Sequence, residues 1–162
     1  MNGENLDSAA NSIAKPVEEA IGTLLASGRD GNPLSRVDFM SRVAFLPREL
    51  RGDILASPKV HDFVRDTLVL VPNKDGKPLD RVTFIGRIDA LPIELRRPVV
   101  TSLQTYTFVR DSLVLGDSKE GGRPSAATVA ERIRFMPPEL REDMSTDPLV
   151  KSEFPNLEVY PK

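Results

Sequence analysis

The sequence predicts an all-α chain of tandem three-helix repeats, each 45 residues long, stacked as a short α-solenoid or superhelical bundle. Two observations carry that expectation. Laid on itself at a shift of 45, NPLSRVDFMSRVAFLPRELRGDILASPKVHDFVRDTLVLVP (32–72) aligns without a gap to KPLDRVTFIGRIDALPIELRRPVVTSLQTYTFVRDSLVLGD (77–117), and a second shift brings 122–162 into the same frame. Five columns are shared by all three copies: Arg42, Arg87, Arg132; Pro47, Pro92, Pro137; Glu49, Glu94, Glu139; Leu50, Leu95, Leu140; and Arg51, Arg96, Arg141. Within each copy the apolar residues fall at helical spacing, and units of this period normally stack because none can bury its own stripes alone.

The elements follow in chain order. Residues 1–12 read as a flexible leader with Ser and Asn, and residues 13–31 as half a repeat that acts as an N-terminal capping helix. In that half repeat Val17, Ile21, Leu24 and Leu25 form an amphipathic stripe, Pro16 stands near the first turn and Gly28 just past the end. Repeat 1 covers 32–76, repeat 2 covers 77–121 and repeat 3, the C-terminal cap, covers 122–162; together they form one domain. The first helix of repeat 1 runs from about Ser35, an N-cap, to Phe45, with Phe39, Met40, Val43 and Leu46 inward. Its third copy places Ser125 at the cap and Ala126, Val129, Ala130, Ile133 and Met136 on the stripe.

The second helix starts at LPRELR, LPIELR or MPPELR, with Pro at its first position and Glu in its first turn, where a carboxylate meets the helix dipole. In the middle copy Pro98 stands where Asp53 and Asp143 stand, so the break before the third helix is expected to move forward to Pro98. The third helix starts near Ser57 or Asp147, with Val60, Phe63, Val64 and Leu68 at i, i+3, i+4 and i+8. TYTFVRDSLVL is also rich in β-branched residues, which makes a strand the alternative there; the helical stripe favours helix.

In period and helix count the repeats resemble HEAT and armadillo repeats. No motif specific to either family is present, so the resemblance implies architecture only. LPxEL also opens an F-box, but that likeness covers five positions and the rest of the F-box pattern is missing.

Composition narrows the function. With no cysteine there are no disulfides, thiolate metal sites or Cys nucleophile. One His and the absence of GxxxxGK[ST], GxGxxG and HExxH remove the usual parts of nucleophilic, phosphate-handling and zinc chemistry, so no enzyme, cofactor or metal is expected. VPNKDGKPLDRV fails as a calcium loop because Val71 and Val82 fall where acidic ligands are needed, and a Gly turn explains it. Asp66 and Asp111, repeated within FVRD, are the pair a carboxylate-only hydrolase would use, but ion pairing with a neighbouring Arg explains them better. His61 reads as a solvated surface histidine. The longest aliphatic run, Leu68 to Val71, cannot span a bilayer, so the chain reads as soluble with no membrane partner.

The columns Arg42, Arg87, Arg132 and Arg51, Arg96, Arg141 each occupy one phase of a helix, so stacking would line them into ladders. Ladders of this kind bind an acidic protein surface or a phosphate backbone; alternatively, each Arg pairs with an acid and ties units together. A net charge of −2 and few aromatics weigh against nucleic acid. The leading expectation is therefore a cytoplasmic protein-protein interaction module: a scaffold or adaptor, or a bacterial effector delivered to a host cytoplasm. Its anchors would be residues that break the repeat, such as Tyr106, or Phe45 and Phe135 where the middle unit has Ala90. Array ends of this sort also leave room for self-association. A nucleic-acid-binding array is the first alternative and a small carboxylate hydrolase the second.

Overall fold

A computed structural model describes the backbone of residues 3–160 and the side chains of residues 14–160. Among these residues the chain is all helical, with no strand. The ten α-helices are α1 (Gly3–Leu25), α2 (Arg36–Ala44), α3 (Arg48–Leu55), α4 (Pro58–Phe63), α5 (Arg81–Asp89), α6 (Ile93–Val100), α7 (Leu103–Phe108), α8 (Ala126–Arg134), α9 (Pro138–Ser145) and α10 (Pro148–Glu153). From α2 onward the bounds recur at a shift of 45, so each sequence unit folds as the same three helices.

Local chemistry sets these bounds. Ser35 and Ser125 cap α2 and α8 by accepting from the amides of Asp38 and Thr128, and Asp80 does the same for α5 from Thr83. Pro47, Pro92 and Pro137 take the N-cap position with extended ψ, one place ahead of the first helical position that the sequence suggests. The Asp-Gly turns are tight loops: Gly31 and Gly76 have φ of 75° and 77°, a region that glycine enters without strain. Gly76 closes a turn between Asn73 and Lys77 and is not the cap of the preceding helix.

Three expectations are corrected. The backbone is helical from Gly3, so residues 3–12 belong to α1 and Pro16 lies inside the helix. The sequence carries a reason: Leu6, Ala10, Ile13 and Val17 continue the apolar spacing of the capping helix backwards. In the middle unit the break does not move to Pro98, which sits inside α6; the helix continues to Val100 and Ser102 caps α7. An interior proline costs about 3 kcal/mol. Burying Val99 and Val100, which are 1% and 0% exposed, returns about 1.5–3 kcal/mol each and holds the helix through it. Finally, the third element is helical, but not α throughout: α4 passes into π-helix over Val64–Val69 and α7 over Val109–Val114. The π register shows in the amides of Leu70 and Leu115, which donate to Arg65 O at 2.8 Å and Arg110 O at 2.9 Å.

One core runs the length of the molecule. Phe39 and Phe84, both fully buried, pack against Phe63 and Phe108 with ring centroids 6.2 and 6.5 Å apart. The units touch in sequence: α1 packs on α2, α3 and α4; α3 and α4 on α6; the first π segment on α5; α6 on α9; and the second π segment on α8.

Candidate interaction surface

In the first Arg column Arg87 and Arg132 are buried and Arg42 is half-buried. Arg87 projects from the last turn of α5 onto the end of the preceding unit's third helix, where Nη1 donates to Val69 O at 2.9 Å and Val71 O at 2.5 Å. One unit on, Arg132 repeats the bond set with Val114 O at 2.9 Å and Gly116 O at 2.6 Å. Arg42 does likewise at the end of α1, with bonds to Thr23, Leu24, Ala26 and Ser27 carbonyls. A helix C-terminus leaves carbonyls without partners and carries partial negative charge, so a guanidinium from the next unit satisfies both needs. The π turns belong to this arrangement, because they end where the captured carbonyls begin. Burial pulls the Arg87 and Arg132 pKa values below the ordinary arginine value, and a second Arg beside each, Arg36 or Arg81, adds to the shift.

The second column reaches forward. Arg51 makes a forked pair with Glu94 of the next unit, at 3.0 and 3.3 Å. Arg96 reaches Glu139 through a single bond, Nε to Oε1 at 2.7 Å, and turns its Nη1 to Asp89 at 3.0 Å. These bonds raise the Arg51 and Arg96 pKa values, and the Arg51 bond lowers that of Glu94. Arg141, in the third unit, donates to Met136 O in place of an acid.

Tyr106 is also spent across a unit boundary. Its hydroxyl donates to the Asp147 carboxylate, which caps α10 through the amides of Leu149 and Val150. Burial and the Asp147 carboxylate push the Tyr106 hydroxyl well above its ordinary pKa. Asp66 and Asp111 pair with their neighbours Arg65 and Arg110, at 2.8 and 2.9 Å. His61 is half-buried with Nε2 at 2.7 Å from Leu55 O, so it is not the solvated histidine that the sequence suggests.

Several large apolar side chains remain exposed, among them Ile93 on α6, Leu103 on α7 and a set on the first helices. Phe45 and Phe135 are 85% and 66% exposed, and Val37 and Val82 are 79% and 83% exposed. All four belong to the first helix of a unit or its C-cap residue. Phe135 lines a cleft of about 380 Å³ between α5 and α8 together with Val82 and Ile85. Phe45 walls the corresponding cleft, about 480 Å³, between α1 and α2. In the middle unit the same column is Ala90, which is also exposed. Of the residues singled out in the sequence, Phe45 and Phe135 therefore stand at this surface, while Tyr106 and five of the six column arginines, all but Arg141, bond to a neighbouring unit or to α1. Sequence reading missed Val37 and Val82, although their solvent-facing register on α2 and α5 was available from the helical stripe.

The chain was compared with protein-family models, with curated proteins and with solved structures, and none of the three comparisons finds a match.

Proposed function

We propose that the chain is a non-catalytic protein-protein interaction module: a short α-solenoid of three stacked units and a capping helix, presenting the row of first helices α2, α5 and α8 to a partner. The observation that carries this reading is the exposure of Phe45 and Phe135 at a column where the middle unit has alanine. Aromatic side chains left in water beside an apolar cleft serve recognition better than folding, and such anchors carry most of the free energy of an interface. The nucleic-acid reading has lost most of the cations it was built on, because the Arg columns are largely occupied by carbonyls and acids of adjoining units.

The test is capture from lysate of the source cell with wild type and with Phe45→Ser/Phe135→Ser, after circular dichroism has shown both to be equally helical. A specific partner held by wild type and lost by the double variant is the expected result. Equal recovery by both proteins would place the interface elsewhere, and recovery of nucleic acid by both would revive the alternative.

A further inference from the structure

The cleft between the first and second units, about 500 Å³, is lined on its polar side by Ser35, Arg36, Thr67, Asn73, Lys74 and Arg87. No acidic side chain lines it. Arg36 and Arg87 converge there on a single helix end: Arg36 Nη1 donates to Leu68 O at 3.0 Å and Arg87 Nη1 to Val69 O at 2.9 Å. A helix C-terminus carries only about half a negative charge, so two guanidiniums overcompensate it by more than a full unit. Exposed Lys74 adds a third cation, and among the described residues it forms no ion pair. The acid whose field reaches Arg87 is Asp80, which accepts from the Thr83 amide at the start of α5 and sits behind Asn73 at the edge of the cleft, outside its lining. The repulsion from Arg36 that lowers the Arg87 pKa would be relieved by an anion seated between them.

We infer that this cleft is a binding site for a doubly charged oxyanion of the phosphate class. Arg87, 7% exposed, is fixed by its carbonyl bonds, and Arg36 uses one of its five donors, which leaves a forked face for oxygen ligands. The hydroxyls of Ser35 and Thr67 add neutral donors. The second inter-unit cleft serves as an internal control. It has the same cations, Arg81, Lys119 and Arg132, but Asp80 replaces Ser35 and Asp117 replaces Pro72 in its wall. Two carboxylates in that wall oppose an anion, so the inference is confined to the first cleft. It does not depend on the partner-binding face proposed above.

The test is titration of the isotope-labelled full chain with inorganic pyrophosphate at constant ionic strength, followed by amide chemical shifts. Saturable shifts are expected at residues 34–37 and 67–74, with little change at residues 79–82 and 112–119. Lys74→Glu, a change at an exposed side chain, should weaken binding by more than tenfold without loss of helicity. Asp80→Ser/Asp117→Ala, which keeps a capping hydroxyl for α5, should bring the second cleft into the titration. Shifts that stay linear in pyrophosphate, spread over all basic residues or survive Lys74→Glu would overturn the inference. A phosphoserine peptide and its unphosphorylated parent form the final arm. A tighter fit of the phosphopeptide than of pyrophosphate assigns the phosphate to a protein ligand, and equal or weaker binding assigns it to a free anion.

Discussion

Arg87 and Arg51 show how two residues of one type, each repeated at every unit, contribute unequally. Arg87 is 7% exposed and is the side-chain partner of two helix-end carbonyls, so Arg87→Met would keep the packed stem and orphan both acceptors. Unpaired buried acceptors cost about 1–3 kcal/mol each, and the expected loss is about 2–4 kcal/mol in urea unfolding at neutral pH. Arg51 and Glu94 have side chains 32% and 37% exposed, Arg51 Nη1 also donates to the part-buried Val43 O at 3.1 Å, and Arg51→Ala should cost about 1 kcal/mol in the same measurement. Equal losses would mean that water replaces Arg87 at the carbonyls. Asp147 contributes to the pH dependence alongside Asp66, Asp80, Glu94 and Glu139, whose pKa values are also lowered. Burial pushes the Asp147 carboxyl up, but the Tyr106 hydroxyl, the Val150 and Leu149 amides and Arg110 outweigh burial and hold it below the usual value. A folded pKa below the unfolded one contributes stability that is present above about pH 4 and lost as pH falls through the folded value. Asp147→Asn should therefore lower stability at neutral pH and flatten its decline in acid. Tyr106→Phe should shift that decline to higher pH, as read from urea midpoints between about pH 2 and 7.

At the level of elements, the helical spacing and the Ser35 and Ser125 caps made the α2 and α8 starts legible, the 45-residue shift carried the same start to α5, and the LPxEL starts located α3, α6 and α9. The π segments were not legible, because the carbonyls that they aim are recruited by an arginine 18 positions further on. Pro98 misled for a similar reason: the local penalty was visible, the burial of Val99 and Val100 was not. The candidate surface was half legible. An aromatic at a variable column marked Phe45 and Phe135 correctly as exposed, but the same rule picked Tyr106, whose hydroxyl is tied to Asp147 of the following unit. Glycines test the element boundaries. At Gly116, just after the second π segment, a Cβ would collide with the Ser112 backbone carbonyl, whereas at Gly52 inside α3 nothing lies within 4 Å. Gly116→Ala should destabilise the protein by more than about 1 kcal/mol, and Gly52→Ala should stabilise it by about 0.5–1 kcal/mol, both measurable by thermal unfolding.

Across the whole molecule the links repeat in register. Arg51 to Glu94 and Arg96 to Glu139 both span 43 positions, and Arg87 to Val69 and Arg132 to Val114 both span 18. Removing residues 77–121 would set Arg51 opposite Glu139 and bring Arg132 to the carbonyls of Val69 and Val71. The shortened chain is expected to fold cooperatively with a lower urea dependence, because less surface is buried. A non-cooperative or molten product would show that the middle unit holds contacts its neighbours cannot supply. The register of these links also bears on descent. A gain or loss of 45 codons rejoins every arginine to a carbonyl or an acid wherever the junction falls, whereas a gain or loss of 44 or 46 with its junction inside a helix turns the remainder of that helix by about 100° and parts its bonds. Heritable changes in the length of such a chain would therefore survive as whole units, or with the odd residue taken up in a loop.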